Sequence, residues 1–287
     1  MTISTSTNLQ NNFLNISLKI DAPFLANLYP AYVALYYTDP TEDDIGTEIS
    51  GSGYGRVYYG VNIYDLDGNY VSNERDLVFP TATGSWGSFE YYGIRGGPGA
   101  GIDSGNLLFF GHLDSPITVN EGESLLCVSG SMAITLYGAY RQTLAEVLLY
   151  RTLCLDRVPP AYEEPIELVG DKYIVLFTET PDDEKATDTD FSDYEVPNGD
   201  TGYSRQFISG SSWSTPSGGS CYNLETITFT NSANEDWGDI RGVGITAPSV
   251  SSGVSCLLFS GSISASATVH KGDAFTIESG DLIVQLT

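Results

Sequence analysis

Acidic side chains are the most abundant groups in this sequence that could carry out chemistry. The 287 residues contain 37 Asp and Glu, 12 Lys and Arg, and two histidines, His112 and His270. Isolated histidines at unrelated positions are more typical of surface residues than of metal ligands. Motifs for a serine nucleophile elbow, a zinc protease and a phosphate-binding loop do not occur. We therefore predict no catalytic residue, no metal ligand and no cofactor, although an unmarked pair of catalytic carboxylates stays an open alternative.

Two acidic segments have the composition of calcium-binding loops. Asp65–Asn69 reads DLDGN, with oxygen ligands at alternate positions and a glycine for a sharp turn. The bidentate glutamate of such a loop is missing, because Glu74 falls two residues short of its position. Thr187–Asp200 gathers five carboxylates, and calcium would reduce their mutual repulsion. A hairpin turn and a solvated loop are the favoured interpretations of these two segments.

The charge and hydropathy of the chain argue against two classes of partner. A formal net charge of −25 repels phosphate, and the few basic residues form no stripe, so no nucleic-acid partner is expected. No apolar run approaches the roughly 18 residues of a transmembrane helix, and the first residues do not resemble a secretory signal. No membrane partner is therefore expected. The four cysteines form no C-x-x-C pair and are interpreted as free, partly buried thiols.

One phrase occurs twice in the sequence. Thr83–Ile94 and Asn234–Ile245 both contain Trp-Gly, followed seven residues after the tryptophan by Gly-Ile. Other segments match in the same order at a nearly constant offset, and the second copy has extra residues before its Gly-Tyr phrase. We infer two tandem copies of one folding unit, spanning residues 1–137 and 138–287. The matching pairs are Tyr32–Pro40 with Tyr173–Pro181, Gly53–Arg56 with Gly202–Arg205, Leu107–Gly111 with Leu257–Gly261, Thr118–Ser124 with Thr268–Ala274, and Ser129–Leu136 with Ser279–Leu286.

The repeated unit is predicted to be all-β. Short apolar segments alternate with turn residues at a spacing of roughly 8–12 residues, which is typical of a sandwich or jelly roll. We expect two tandem jelly-roll-like antiparallel β-sandwich domains, each preceded by a short helix, within Leu9–Ile20 and Tyr140–Leu155. The strands predicted in the first copy are Tyr32–Tyr37, Val57–Tyr64, Asp76–Phe79, Ser88–Ile94, Asn106–Leu113, Ser124–Val128 and Met132–Leu136.

The recurring Trp-Gly phrase is interpreted as structural, and a stacking platform for a sugar or base is the less favoured alternative. Each tryptophan is expected to fill the core of its domain, and the glycine is expected to let two strands approach at a bend. The tyrosine and arginine of each Gly-Tyr phrase are assigned to the same repeated core. The residues of this predicted core are Trp86, Gly87, Trp237, Gly238, Tyr54, Arg56, Tyr203 and Arg205.

Two other aromatic residues are candidates for an exposed contact. Trp213 and Tyr222 lie in the Ser- and Gly-rich segment Ser209–Tyr222. Because Trp213 lies outside the repeat, it is the tryptophan least constrained by the repeated core. An exposed aromatic side chain in such a loop could stack against a cell-surface glycan.

The ordered segments resemble a family of small virion structural proteins of tailed bacteriophages. Their pattern reads YvALYt-DPt…GYaRq…WG…GI…LLf-G, and both copies carry it. The first copy matches at Tyr32–Pro40, Glu48–Arg56, Phe79–Gly87, Gly93–Ile94, Gly105–Leu113, Val119–Glu123 and Ile134–Leu136. The second copy matches at Tyr173–Phe177, Gly202–Gln206, Phe229, Trp237–Gly238, Gly244–Ile245, Leu257–Gly261, Val269–Asp273 and Gly280–Leu286.

This resemblance implies a non-enzymatic protein of the virion, assembled in the host cytoplasm. The first function that it implies is a capsid cement or decoration protein, which would bridge subunits of the major capsid protein or other virion proteins as a homo-oligomer. The alternative is a tail-fibre, adaptor or host-receptor-binding module, in which Trp213 and Tyr222 would contact a cell-surface glycan.

Overall fold

A computed structural model of the chain provides the fold. It describes residues 2–5, 7–14, 18, 30–59, 70–73, 75–97, 105–135, 148, 171–179, 191–197, 202–232, 235–248 and 255–286. The predicted domain boundary near Tyr137 lies outside these ranges, and so does the DLDGN segment.

Within the described ranges, the first copy consists of a short N-terminal arm and eight strands. The arm comprises β1 (Thr2–Thr5) and α1 (Thr7–Leu14). The strands are β2 (Ala31–Tyr36), β3 (Val57–Tyr58), β4 (Tyr70–Ser72), β5 (Leu77–Val78), β6 (Gly87–Gly96), β7 (Asn106–Val119), β8 (Leu126–Cys127) and β9 (Ala133–Thr135).

The second copy repeats these eight strands in the same order. They are β10 (Lys172–Phe177), β11 (Gln206–Ile208), β12 (Ser220–Tyr222), β13 (Ile227–Thr230), β14 (Gly238–Pro248), β15 (Ser255–Val269), β16 (Ala274–Ile277) and β17 (Ile283–Gln285). Short 3-10 turns lie at Phe191–Asp193 and Gly210–Ser212.

Strand pairing is antiparallel and nested in both copies. The main sheet has the order β1-β7-β6-β2-β3 in the first copy and β11-β10-β14-β15 in the second. In the first copy, the strands that flank the β6–β7 hairpin pair with each other: β5 pairs with β8, and further out β4 pairs with β9. In the second copy the equivalent pairs are β13 with β16 and β12 with β17. The predicted all-β fold class is therefore confirmed.

Two features of the strands differ from the sequence prediction. β7 continues through Asp114-Ser115-Pro116 to Val119, although these turn-forming residues predicted an end at Leu113. The strand accommodates them as a bulge, because its pairing with β6 is interrupted between Phe89 and Tyr91. β4 and β12 were not predicted, since three-residue strands bordered by polar residues give almost no periodic signal.

Glycine occupies positions of the repeated phrase for two different structural reasons. Gly87 and Gly238, which follow the tryptophans, have φ of 76° and 80°, a left-handed conformation that favours glycine. The expectation that they allow a close approach of strands is wrong, because a Cβ at Gly238 would meet nothing within 4 Å. Close approach instead explains the Gly-Ile glycines: a Cβ at Gly93 would lie 2.7 Å from Leu107 Cδ1, and one at Gly244 would lie 2.6 Å from Phe177 Cε2.

The N-terminal arm connects the two copies. β1 pairs with β7 of the first copy, with Thr2 opposite His112. α1 contacts β7 of the first copy and β12 of the second. Just before β12, the main-chain N–H of Gly219 donates to Asn11 Oδ1 in α1 at 3.0 Å. Buried apolar residues of α1 and of both copies form one continuous hydrophobic cluster. The arm is thus placed to hold the two domains together.

α1 covers the first half of the weak helical pattern in Leu9–Ile20. Of the helix predicted within Tyr140–Leu155, Leu148 alone belongs to the described residues, and it is buried. No helix in the described ranges is long and apolar enough to cross a membrane.

The copies differ on the outer face of the main sheet. In the second copy Phe191 packs edge-on against Phe177, with ring centroids 6.3 Å apart, and the Arg205 guanidinium lies 5.1 Å from its ring centre. In the first copy Arg95 lies on this face, bonded to both carboxylate oxygens of Asp44 and to the hydroxyl of Tyr36. Phe191 lies in the stretch between the first strand and the Gly-Tyr phrase in which the second copy is longer, so part of that stretch has a packing role.

Replacing Gly244 with alanine tests the close-approach interpretation. The new methyl group would overlap the buried side chains of Phe177 and Leu257. We expect a loss of about 1–3 kcal/mol in the free energy of unfolding, as for other overpacked cores. Gly261→Ala is the control, because a Cβ there meets nothing within 4 Å and should change stability by less than about 0.5 kcal/mol. Equal denaturation midpoints for the two variants would contradict the interpretation.

Candidate interaction surface

A tyrosine buried beneath the main sheet organises the core of the first copy. The ring of Tyr54 meets Trp86 edge-on, with centroids 5.5 Å apart. Its hydroxyl accepts a 2.9 Å hydrogen bond from the main-chain N–H of Leu35 in β2 and donates one of 3.1 Å to Glu48 Oε1. Arg56 holds both oxygens of Glu48, at 2.8 and 2.6 Å. We call this set the tyrosine node.

The second copy contains the same node. Tyr203 meets Trp237 edge-on at 5.5 Å, with the same interplanar angle of 89°. Its hydroxyl accepts from the N–H of Leu176 at 2.9 Å, and Glu195 is bound by Arg205 at 2.9 and 2.6 Å. The two tryptophans therefore have equivalent surroundings, and the residues that recur in the sequence contact one another in space.

The electrostatics of the node suit a structural role. Burial raises the pKa of both Tyr54 and Tyr203 far above the usual value, and the neighbouring carboxylate of Glu48 or Glu195 raises it further. Each hydroxyl therefore stays protonated and can donate to the carboxylate. Because the carboxylate is already paired with arginine beneath the surface, the node offers no free acid or base to a substrate.

Trp213 is fully buried, so the prediction that it forms an exposed contact is wrong. It forms an isolated β-bridge with Asn223. On either side, the N–H of Ser214 donates to the carbonyl of Tyr222, and the N–H of Leu224 donates to the carbonyl of Ser212. This pairing folds the Ser- and Gly-rich segment back onto β12 and turns the indole inward. A composition typical of a mobile loop gave no sign of it.

Tyr222, the other aromatic candidate, lies on the surface. It is 45% exposed and faces solvent beside its cross-strand partner Ile283, which is 58% exposed, and near Leu224, which is 47% exposed. Asn223 fixes this strand from below, because its amide donates to two main-chain carbonyls and its oxygen accepts from the N–H of Leu282. Tyr222, Leu224 and Ile283 therefore form a rigidly supported apolar surface, which we call the tyrosine face.

A second exposed apolar surface lies on the first copy. Val78 and Leu126 are cross-strand partners on β5 and β8, and Val128 follows two residues later, so all three point the same way. Between 52% and 58% of each side chain is exposed. The sequence contains a signal of this exposed surface. The run Leu125–Val128 is apolar at every position, whereas a half-buried strand alternates apolar and polar residues. We call Val78, Leu126 and Val128 the valine face.

Each domain also contains a cleft between its sheets, which is lined mainly by apolar residues in the first copy and by apolar and polar residues in the second. The cleft of the first copy has a volume of about 260 Å³ and that of the second about 520 Å³. Equivalent positions line both, such as Leu113 and Ile263 on the long strands. Cys127, a free thiol, lines the smaller cleft, and burial raises its pKa above the ordinary value. A thiol that stays protonated is a poor nucleophile.

The titratable side chains of the described residues form no metal site. No group of three or more His, Cys, Asp and Glu residues is arranged to hold an ion in these ranges. His112 contacts Glu90, and His270 contacts Asp236, each at 3.1 Å on the surface. The Asp236 carboxylate raises the pKa of His270. Within Thr187–Asp200, residues 191–197 are described, and there Glu195 is engaged by Arg205.

Replacing either node tyrosine with phenylalanine tests whether the node supports the two copies equally. Tyr54→Phe and Tyr203→Phe each remove the acceptor of a buried main-chain N–H and should each cost about 1–3 kcal/mol of stability. Tyr222→Phe, at the exposed tyrosine, should change stability by less than about 0.5 kcal/mol. Denaturant titration would measure all three variants, and a node variant as stable as the control would contradict the role.

Comparison with known proteins gives one family match. A family model described as Podophage GP4 fiber I protein gp80 matches residues 4–135 and again residues 161–285. The two matched segments contain one copy of the repeat each and together include most of the chain. No curated protein matches the chain.

Proposed function

Because this chain belongs to the family described as Podophage GP4 fiber I protein gp80, we propose that it is a fibre subunit of a podophage and acts by adhesion. Membership makes the chain a structural component of the virion, associated with other virion proteins. The observation that carries the proposal is the match to a fibre family over both copies. This match favours the tail-fibre, adaptor or host-receptor-binding module over the capsid cement or decoration protein.

The described side chains support adhesion without catalysis. Both carboxylates of the repeated nodes are neutralised by arginine, and the cleft of the first copy is lined mainly by apolar groups. Each copy instead presents a flat apolar face on a short, well-anchored ladder. Surfaces of this kind bind partners through buried contact area, with aromatic residues contributing the largest share. We therefore propose a non-enzymatic role.

The tyrosine face is the proposed outer contact. Tyrosine combines a large rigid apolar ring with a polar tip, which suits the half-polar surface of a sugar. Ser220 and Gln285, a neighbouring cross-strand pair on the same ladder, could supply hydrogen bonds to hydroxyl groups. A host-surface glycan is thus the ligand class that best fits this face.

Capsid decoration is the second candidate, favoured by the compactness of the two units. The described residues form two short sandwiches and no repetitive shaft of the kind that fibres commonly use to trimerise. In this role the chain would form a homo-oligomer and bridge subunits of the major capsid protein through many weak contacts.

Electron imaging of particles that carry a labelled copy of the chain separates these two functions. A fibre subunit should give label at fibres that project from the virion. Label distributed over the capsid lattice would overturn the fibre proposal and favour the decoration candidate. Unlabelled wild-type particles are the control for background density.

Exchanging the tyrosine face for the residues of the first copy tests the outer contact. Tyr222→Ser with Ile283→Ala installs the counterparts Ser72 and Ala133, which should preserve the ladder. We expect binding of the purified chain to host cells to fall roughly tenfold, the effect of losing one well-packed aromatic anchor. Periodate oxidation of the cell surface should have a similar effect. Thr228→Ala, at another exposed strand position, is the control, and unchanged binding of the double variant would refute the glycan contact.

A further inference from the structure

The valine face and the smaller cleft adjoin one another. Leu126 and Val128 belong to the exposed valine face and also to the lining of the 260 Å³ cleft. The inner lining is apolar and comes from both layers of the sandwich, with Val33 and Phe89 on one side and Met132 on the other. An exposed apolar ladder therefore continues into an apolar recess.

The size of the recess indicates what it can accept. Pockets for drug-sized ligands usually measure about 300–1,000 Å³, and this one is smaller. A recess of this size at the edge of a flat face resembles the pockets that receive a single anchor side chain in protein interfaces. The occupant that fits is therefore an apolar side chain of a protein segment, with its neighbouring residues lying across the valine face.

The second copy provides an internal comparison. Leu77 and Cys127 pair in the first copy as Ile227 and Ile277 do in the second, so the register of the two ladders is the same. The positions of the valine face are occupied in the second copy by Thr228, Thr276 and Glu278, all exposed. Folding of this ladder therefore does not require apolar residues on its outer side. Their presence in the first copy calls for another explanation, and contact with a partner supplies one.

The charges around the recess select the type of partner. Asp76 lies beside the valine face, where its carboxylate accepts a hydrogen bond from the N–H of Ser129. Asp114 lies on the bulged part of β7 between two lining residues, Leu113 and Ile117. Burial, and to a smaller extent the charge of Asp114, raises the pKa of Tyr92 in the lining. A chain with a net charge of −25 repels a second copy of itself, whereas basic groups would be attracted.

We propose that the valine face and its recess are the docking site through which this chain attaches to the virion. The occupant is a segment of another virion protein that inserts an apolar side chain into the recess and carries Lys or Arg on either side. The inference rests on the proposed function, since it assumes that the chain is bound to the particle. The two copies then have different tasks, with the first facing the virion and the second facing outward.

A residue exchange between the copies tests the docking site. Val78→Thr, Leu126→Thr and Val128→Glu together install the residues of the second copy. Particles assembled without the native chain would be supplied with this triple variant, and chain copies per particle would be counted by quantitative mass spectrometry. We expect at least a tenfold loss relative to the wild type, together with weaker wild-type attachment as salt increases. The tyrosine-face variant, Tyr222→Ser with Ile283→Ala, is the matched control and should be incorporated at the wild-type level.

Two further measurements keep the outcome decisive. Thermal unfolding would establish that the triple variant folds, and if it does not, a photoactivatable crosslinker at Val78 in the otherwise native chain gives the answer. Crosslinking to a different virion protein supports the docking site. Crosslinking to a second copy of this chain, or wild-type incorporation of a folded triple variant, overturns it. Absence of the wild-type chain from particles would instead refute the proposed function.

Discussion

The hydrogen bond from the main-chain N–H of a central strand to a buried tyrosine hydroxyl is the constraint on which each copy depends. Leu35 and Leu176 donate to Tyr54 and Tyr203, whose rings in turn hold the tryptophans edge-on. A carboxylate accepts a hydrogen bond from each hydroxyl, and a bidentate arginine neutralises that carboxylate. The arrangement pairs the buried hydroxyl, carboxylate and guanidinium of each node, which is necessary because an unpaired buried group would be costly.

This repeated frame leaves the outer positions of the strands free to change. The core tolerates few substitutions, since a Cβ at either Gly-Ile glycine would overlap its neighbours. The outer side of the small ladders has no such restriction. In the first copy it carries the valine face, and in the second copy it carries the tyrosine face. Duplication therefore gives one virion protein two surfaces of different chemistry on the same rigid support.

The arm that precedes the first copy links the two surfaces mechanically. β1 completes the main sheet of the first copy, and α1 contacts β12, the strand that carries Tyr222. Force applied to one domain can thus reach the other through packed side chains and through the hydrogen bond between Gly219 and Asn11. Such a link suits the fibre role that we propose, in which the chain must remain intact between the virion and the host surface.

The all-β class, the duplication and most strands follow from the amino-acid sequence alone, because alternation of apolar residues and matched phrases are local and repeated signals. The sequence also brought Trp86, Tyr54 and Arg56 together as candidates for one core. The tertiary structure decided which candidates face solvent: Trp213 is buried and Tyr222 is exposed, although both lie in one Ser- and Gly-rich segment. Residue type cannot settle this, because burial of an aromatic ring there depends on pairing between Ser212–Ser214 and Tyr222–Leu224, segments separated by a turn that composition does not specify. The valine face likewise emerged only when the register of β5 and β8 placed Val78 opposite Leu126, since cross-strand neighbours are set by folding and not by sequence distance.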